Sequence, residues 1–171
     1  MTDDRNAEVP QSPALDLPAD LLFAPEQDMW VREEADGTVT VGATHVVAAH
    51  GQFMLFTPRA VGSDVERDRS LGVMETAKTA VAVHAPLSGR IVAVNEAVVA
   101  DIALVAREPY GAGWLVRLQP ATLAGERGTL MAAGDYAAWL APRLAQKQAD
   151  AVPLDDDEFK EDLTVDPYRG Y

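Results

Sequence analysis

Lys78 is the residue whose type and position point most directly to chemistry. Eleven of the fourteen basic residues are arginines, and the three lysines are Lys78, Lys147 and Lys160. Only Lys78 falls in the β-rich body of the chain, at about residues 21–141, where it lies at a predicted turn between short strands at 70–75 and 80–84. A lysine amine can lose its proton and form an amide, whereas an arginine guanidinium keeps its charge. The residues alone fit a lysine that carries a covalent group, and they also fit an ordinary surface lysine.

The neighbours of Lys78 would leave its amine open to a modifying enzyme. Thr76, Ala77 and Thr79 are all small, and the predicted turn would project the lysine into solvent. A prosthetic arm on such a turn can swing between partners, which an arm on a sheet face or in a helix interior cannot do. Glu75 stands three residues before the lysine, where its carboxylate either steers the modifying enzyme or only solvates the hairpin.

Other kinds of reactive site find little support in the sequence. The chain has no cysteine, which excludes disulfides, thiolate metal ligands and a cysteine nucleophile. His45, His50 and His84 have no metal-like spacing, and a metal site needs three or four convergent ligands. Ser88 lacks the Gly-x-Ser-x-Gly setting of a nucleophile elbow. Because no general acid–base pair is recognisable either, we predict that the protein is not itself an enzyme.

The net charge of −13 argues against a nucleic-acid partner, because phosphate backbones are bound by clustered lysine and arginine. Residues 1–20 contribute −4 and residues 150–171 contribute −6, so the segment between them carries the remaining −3. The acidic end suits either solubility or docking to a basic partner. Since the chain shows neither a bilayer-length apolar run nor a signal peptide, we expect a cytoplasmic protein without a membrane partner.

The composition divides the chain into three parts. Residues 1–20 are rich in proline, aspartate and alanine without a sustained period, so we expect a flexible N-terminal segment. Residues 149–171 contain a run of acids and are expected to form a disordered tail. Residues 21–148 form the predicted domain, in which many short strands at close turn spacing favour a small barrel or sandwich.

Strands and helices can be predicted within this domain. Alternating apolar residues and turn signals predict strands at 38–41, 52–57, 70–75, 80–84, 90–94 and 114–118. A small-residue segment at 43–49 predicts a short helix that stops before Gly51. Asp135 is predicted to cap a C-terminal helix, in which Pro142 should cause a kink or an early end. Trp114 is predicted to lie in the core, because a buried tryptophan contributes a large apolar area.

The turn that carries Lys78 contains a motif, and further motifs lie on both sides of it. Residues 73–80 read Val-Met-Glu-Thr-Ala-Lys-Thr-Ala, with a glutamate three residues before the lysine and a small residue after it. Residues 85–97 begin Ala-Pro-Leu-Ser-Gly, and residues 107–115 read Arg-Glu-Pro-Tyr-Gly-Ala-Gly-Trp-Leu. Over about residues 21–141 the chain resembles the glycine cleavage H-protein family. The hairpin resembles that of lipoyl rather than biotinyl proteins, which flank the lysine with methionine.

This resemblance implies a mainly β fold, the barrel-sandwich hybrid of lipoyl domains, with short helices and a C-terminal helix. It implies a non-catalytic carrier with lipoate bound covalently to Lys78, and it gives Glu75 a role in recognition by a lipoate ligase or lipoyl transferase. The carrier would shuttle an aminomethyl group and electrons within the glycine cleavage system. Its partners there would be a pyridoxal-phosphate glycine decarboxylase, an aminomethyltransferase and a dihydrolipoamide dehydrogenase.

Two segments depart from the family. This chain has Asp28 where the family has a histidine, and it has Gln52 where the family usually has an acidic residue. In the family these regions help to form a cleft that shelters the aminomethyl-lipoyl arm. The Thr-Pro-Arg sequence at 57–59 is also similar to lipoate-binding proteins of bacterial sulfur oxidation, which work with a heterodisulfide-reductase-like complex. A carrier with a sulfur cargo is therefore one alternative, and an unmodified H-like interaction module is another.

Overall fold

The computed structural model describes residues 16–49 and 51–150, and in these residues ten strands form two antiparallel sheets. The strands are β1 (Leu22–Ala24), β2 (Met29–Glu33), β3 (Val39–Ala43), β4 (Phe53–Pro58), β5 (Asp64–Val65), β6 (Ser70–Thr76), β7 (Ala80–His84), β8 (Gly89–Val94), β9 (Trp114–Pro120) and β10 (Met131–Ala132). The larger sheet has the order β10-β1-β2-β3-β9-β8-β5, and the smaller sheet has the order β4-β6-β7. The predicted mainly β fold is confirmed.

The six predicted strands are all present, each to within two residues of its predicted ends. The sequence also predicts a strand or a turn starting near Leu21, and β1 lies there. The strands that the sequence did not predict are β2, β5 and β10. Two of these are only two residues long, which is too short for an alternating pattern to develop. The first three residues of β2 are buried in succession, so that strand shows no alternation of apolar and polar residues.

Helices connect and cover the sheets. They are α1 (His45–Ala48), α2 (Glu96–Ala100), α3 (Leu104–Arg107), α4 (Leu123–Glu126) and α5 (Ala133–Asp150), with a 3-10 turn at Arg127–Thr129. The helix predicted at 43–49 begins later than expected, at His45. The reason is that Ala43 still pairs with Met29 in the sheet, and the Thr44 amide donates to the Asp28 carbonyl at 2.9 Å.

Helix α5 corrects two predictions. It begins two residues before Asp135, which therefore lies in the first turn and not at the cap. The Asp135 carboxylate is still favourably placed there, because the first turn is the positive end of the helix dipole. The helix also continues beyond Pro142, so the predicted early end is wrong. Proline removes one backbone hydrogen bond, but Trp139 and Leu144 on either side of it pack against the rest of the protein.

The larger of two hydrophobic cores lies between the sheets. It draws on strands of both sheets, with Val41 and Leu118 from the larger sheet and Phe56 and Met74 from the smaller one, all at most 1% exposed. Val98 and Val105 from α2 and α3 belong to the same core. The strands that end at the Lys78 turn are thus anchored in the main core of the protein.

A second core lies beneath α5, and we call it the α5 cluster. Its buried members are Leu21, Phe23, Trp30, Tyr136 and Leu140. The rings of Phe23 and Tyr136 stack at 4.7 Å, and the Trp30 indole nitrogen donates to the Pro109 carbonyl at 2.8 Å. A Cβ at Gly42 would lie 2.4 Å from the Trp30 ring, so only glycine fits there. Trp114, predicted to be core, is half-buried at the edge of this cluster.

The predicted terminal segments fall mostly outside the described residues. Residues 1–15 and 151–171 are not described. Leu17 is half-buried and packs against the α5 cluster, four residues before the predicted domain start at residue 21. At the other end, α5 continues for two residues past the predicted boundary at 148.

Ending the chain at Asp150 should leave the fold intact. Both hydrophobic cores are built from residues within 16–49 and 51–150, and residues 151–171 are strongly acidic. We expect the melting temperature of the shortened chain to change by less than about 2 °C. Thermal unfolding of the full and shortened chains, followed by circular dichroism, measures this. A shortened chain that no longer unfolds cooperatively would contradict the proposed boundary.

Candidate functional site

Lys78 lies in the turn that joins β6 to β7. The two strands are antiparallel neighbours, and Glu75 pairs with Ala80 in the last register position before the turn. The Thr76 amide donates to the Thr79 carbonyl at 2.8 Å, which closes the turn. The predicted position of Lys78 at a strand reversal therefore agrees with the structure.

The Thr76 side chain holds this turn together. Its Oγ1 accepts hydrogen bonds from the Lys78 amide at 3.3 Å and from the Thr79 amide at 3.1 Å. The same hydroxyl donates to the Thr79 carbonyl at 3.2 Å. A threonine side chain that bonds to the backbone two and three residues ahead substitutes for main-chain contacts within the turn. Thr76 therefore fixes the backbone from which the lysine projects.

The strands below the turn form a firm base for it. Met74 on β6 is fully buried and pairs with Phe56 on β4, which is 1% exposed. On its other side Met74 pairs with Val81 on β7. Because Met74 and Phe56 belong to the main core, the ends of these strands have little freedom to move. Mobility of a group on Lys78 would come from its own side chain and not from the strands.

The two predicted site residues both point into solvent. Lys78 and Glu75 are exposed, and neither forms an ion pair with any residue in 16–49 or 51–150. Ala77 and Thr79, which flank the lysine, are exposed as well. The amine is thus accessible from several directions, as acylation by another protein requires.

A cavity of about 660 Å³ lies apart from the turn, and we call it the α1–α5 cavity. Its walls are the β1–β2 turn, helix α1 and helix α5, and no residue of the β6–β7 hairpin lines it. Trp139, Leu140, Leu144 and Val46 give it an apolar surface. Its charged or ionisable lining residues are Glu26, Asp28, His45, Arg143 and Lys147.

His45 is the most constrained polar residue of this cavity. Its Nδ1 lies 2.5 Å from the Tyr110 hydroxyl, while its buried Nε2 has no hydrogen-bond partner among the described residues. Burial lowers the pKa of His45, and the nearby charge of Asp28 acts in the opposite direction. The net lowering leaves the ring mainly neutral at pH 7. The cavity thus combines a neutral imidazole with carboxylates on one side and basic groups on α5.

Comparisons with known proteins decide the family. The sequence model of the glycine cleavage H-protein matches residues 21–143. The glycine cleavage system H protein 5 of Aquifex aeolicus is 38% identical over 136 residues, which cover 77% of this chain and 91% of that protein. The H protein of Halorhodospira halophila is 39% identical over 118 residues, or 68% of this chain and 90% of that protein. The chain belongs to the glycine cleavage H-protein family.

A solved structure agrees with this assignment. The crystal structure of an H protein from Mycobacterium marinum matches with a TM-score of 0.64 and 36% identity, over 73% of this chain and 99% of that one. H-proteins are non-catalytic lipoyl carriers of the glycine cleavage system, with lipoate on a lysine. The predictions of a carrier, of its lipoyl-domain-like fold and of a covalent lipoate cofactor are thereby confirmed. The assignment of the lipoyl group to Lys78 and of recognition to Glu75 stays a prediction.

The described part of this H-protein offers neither a metal site nor a membrane-spanning helix. Within residues 16–49 and 51–150, no group of three or more histidine or acidic residues is arranged to hold a metal ion. In the same residues, no helix is long and apolar enough to cross a membrane.

Sequence reasoning missed two features of the H-protein site. Thr76 was noted only as a small neighbour of the lysine, although a threonine at the first position of a turn is a known signal for side-chain bonds to the backbone. The resemblance implies a cleft near Asp28, but the sequence does not predict that α5 closes the α1–α5 cavity, since its walls come from segments more than ninety residues apart, such as Glu26 and Lys147. No local pattern could have placed these segments together.

Thr76→Val should slow lipoylation of the H-protein while the fold is kept. Valine has the shape of threonine but cannot accept from the Lys78 and Thr79 amides, so the turn would sample other conformations. These amides are exposed and can bond to water, which limits the loss of unfolding free energy to about 1 kcal/mol. Hydrogen exchange at the two amides should accelerate, and kcat/KM for lipoylation should fall several-fold.

Two variants control this measurement. Thr76→Ser keeps the hydroxyl and should restore both the exchange rates and the lipoylation rate. Thr79→Val makes the same replacement at a residue whose side chain has no hydrogen bond in the described structure, and it should leave amide exchange unchanged. Unaltered exchange in Thr76→Val would show that its hydroxyl does not hold the turn.

Proposed function

We propose that Lys78 holds a lipoyl group as an amide on Nζ, and that the protein passes an aminomethyl group and electrons between enzymes of the glycine cleavage system. The observation that carries the proposal is the exposed position of Lys78 in the β6–β7 turn of a chain that belongs to the H-protein family. Lys147 is exposed as well, but it lies on α5. A group on the turn has freer reach, because its neighbours there are small.

The residues around Lys78 fit a covalent lipoyl group. No ion pair within the described residues has to be broken when the amine loses its proton and becomes an amide. Ala77 and Thr79 leave room for the acyl chain on both sides of the lysine. When bound, the dithiolane of lipoate supplies an electron acceptor and a sulfur that carries the transferred group. The protein's own residues hold the lipoyl arm on an exposed turn, from which it can extend to other enzymes.

The α1–α5 cavity supports an aminomethyl cargo. The departure at Asp28 removes the family's histidine at that point, yet His45 brings an imidazole to the cavity from α1. Glu26 and Asp28 add carboxylates to its lining, and carboxylates attract a protonated amine. On the α5 side, the basic side chains of Arg143 and Lys147 instead favour an anionic sulfur cargo. This last observation keeps the sulfur-oxidation carrier as the second candidate function.

The partners follow from the proposed role. We infer that a lipoate ligase or lipoyl transferase modifies the chain in the cytoplasm. A pyridoxal-phosphate glycine decarboxylase would then load the carrier, an aminomethyltransferase would unload it, and a dihydrolipoamide dehydrogenase would reoxidise it. The similarity to glycine cleavage system H proteins supports this set of partners.

Reconstitution with a glycine decarboxylase tests the function. Lipoylated protein, mixed with the decarboxylase and carboxyl-labelled glycine, should support release of labelled carbon dioxide, and the unlipoylated chain should not. Lipoylated protein that supports no release but binds a heterodisulfide-reductase-like complex would favour the sulfur carrier. A native chain whose intact mass shows no lipoyl increment would favour the unmodified interaction module.

Glu75→Ala should slow lipoylation without unfolding the domain. The Glu75 carboxylate is exposed three residues before Lys78, where it can meet a basic group of the modifying enzyme. Loss of this surface side chain should change the free energy of unfolding by less than about 0.5 kcal/mol. The rate is measured with a purified lipoate ligase by intact mass. As a control, Glu66→Ala removes another exposed glutamate, and this variant should be lipoylated at the normal rate. A normal lipoylation rate for Glu75→Ala would refute the recognition role of Glu75.

A further inference from the structure

The small sheet that carries Lys78 exposes large hydrophobic side chains. Five such residues are exposed within 16–49 and 51–150, and two of them, Met54 and Leu55, are neighbours on β4 of this sheet. Val81 on β7 is exposed as well, but it pairs with buried Met74 and so lies on the opposite face. Met54 is 66% exposed and Leu55 is 44% exposed. Single exposed apolar residues are common, but grouped ones mark interaction sites. The exposed pair Met54 and Leu55, on the strand next to β6, therefore indicates a partner that covers them.

The strand register places Leu55 beside Glu75 on the outer face of the sheet. Leu55 on β4 pairs with Glu75 on β6, which in turn pairs with Ala80 on β7. Side chains of directly paired residues lie on the same face, so these three form one row. The next row on this face consists of Thr57, Val73 and Ala82. All six side chains are exposed or half-buried, and Glu75 is the only charged one among them.

Met54 extends this face toward the turn. The register shifts between Phe53 and Leu55, which leaves Met54 as the extra residue of a β-bulge. Phe53 pairs with Thr76, the residue that begins the Lys78 turn, so the bulge lies at the end of β4 nearest the lysine. We call Met54, Leu55, Glu75 and Ala80 the outer patch. It is an apolar surface with one carboxylate, directly adjacent to the lysine.

We propose that the outer patch is the docking surface for the enzyme that lipoylates Lys78, and that this enzyme covers the patch with an apolar surface bearing one basic side chain opposite Glu75. The inference rests on the proposed lipoylation of Lys78. The partner that covers the patch is identified by which enzyme has to approach the Lys78 amine and by which charge is complementary to Glu75. A carboxylate surrounded by apolar side chains is complementary to a partner with a single basic group in an apolar setting.

The distance to which each enzyme must approach the Lys78 amine distinguishes the modifying enzyme from the other partners. Acyl transfer brings the amine nitrogen to within about 3–3.5 Å of the acyl carbon, so the modifying enzyme must close over the Lys78 turn and the strand ends beside it. An enzyme that acts on the finished carrier meets the far end of the arm and does not need this contact. A surface that adjoins the lysine itself is therefore required by the modifying step.

The chemistry of Lys78 lipoylation defines which groups the modifying enzyme has to supply. It presents an activated lipoyl group, either an acyl adenylate or a thioester, to the neutral Nζ of Lys78. A C–N bond forms as the bond between the acyl carbon and its leaving group breaks, and the leaving group departs with the electron pair. The nitrogen gives up one proton to a base, and nothing is oxidised or reduced. Only the amine comes from this chain, so all of the binding has to come from surface around it.

A double substitution in the full chain tests the docking surface. Met54→Gln keeps the side-chain length, Leu55→Thr keeps a residue that suits a strand, and together they remove most of the apolar contact. With a purified lipoate ligase, lipoate and ATP, KM for this variant should rise about tenfold, which corresponds to about 1.4 kcal/mol of binding. The value of kcat should change little, because Lys78 and its turn are intact. Val92→Thr on β8 is the matched control, since Val92 is 40% exposed on the other sheet.

The outcomes separate the two proposals. A normal KM for the double variant, or an equal rise for Val92→Thr, overturns the docking surface even though wild-type protein is lipoylated on Lys78. Wild-type protein that is never lipoylated on Lys78 overturns the proposed function itself. Leu55→Thr alone provides the same test if the double variant fails to fold by circular dichroism. Once lipoylated by prolonged incubation, the double variant should load normally with glycine decarboxylase, and a matching defect there would overturn the assignment to the modifying enzyme.

Discussion

Lys78→Arg should abolish lipoylation completely while the protein keeps its fold. Arginine preserves the positive charge and a similar length, but its guanidinium does not lose a proton and cannot form the amide. The residue is exposed in a turn, so the free energy of unfolding should change by less than about 0.5 kcal/mol. Protein purified from cells supplied with lipoate should show no lipoyl mass increment, and it should support no release of labelled carbon dioxide from glycine.

Lys147→Arg is the matched control for this loss. It makes the same replacement at an exposed lysine of α5 and should leave the lipoyl increment in full. Peptide mapping of the wild-type protein should place the increment on the peptide that contains Lys78. Partial modification of Lys78→Arg, or an increment on Lys147 or Lys160, would mean that the single-arm assignment is wrong. The experiment therefore tests which lysine carries the lipoyl group, and not only whether the group is present.

The position of Lys78 in a turn could be predicted because the information is local. The strands on either side of it show short apolar runs, and small residues and threonines separate them. Those features lie within about fifteen consecutive residues, so they can be recognised from the sequence alone. The structure adds what the pattern does not contain, namely that Thr76 bonds the turn and that Met74 anchors its base.

The parts of the fold that escaped prediction depend on distant contacts. β10 has two residues and exists because Met131 and Ala132 pair with Phe23 and Leu22, more than a hundred positions earlier. Helix α5 continues past Pro142 because packing on its apolar face outweighs the local preference of proline. The α1–α5 cavity likewise needs three remote segments to meet. Such features are decided by tertiary packing, which a single sequence does not display.

Phe23→Ala should reduce the free energy of unfolding by about 3–5 kcal/mol, the usual cost of removing a buried phenylalanine. Phe23 is fully buried, stacks on Tyr136 at 4.7 Å and meets the Tyr110 ring edge-on at 6.2 Å. Alanine would leave a cavity in the α5 cluster and remove both ring contacts. Urea unfolding, followed by tryptophan fluorescence, measures the loss, because Trp30, Trp114 and Trp139 all belong to this cluster or pack against it. Phe23→Leu retains most of the volume and should lose less than half as much.

The same variant tests whether the two cores are independent. Phe56 and Met74, which anchor the Lys78 strands, belong to the main core, whereas Phe23 belongs to the α5 cluster. Substitutions at sites without shared contacts act independently, so folded Phe23→Ala should be lipoylated within about twofold of the normal rate at low temperature. The α1–α5 cavity of this variant should be distorted instead, because Trp139 and Leu140 of α5 form part of the cavity wall. A large loss of lipoylation at a temperature where the variant is folded would mean that α5 helps to set the geometry of the Lys78 turn.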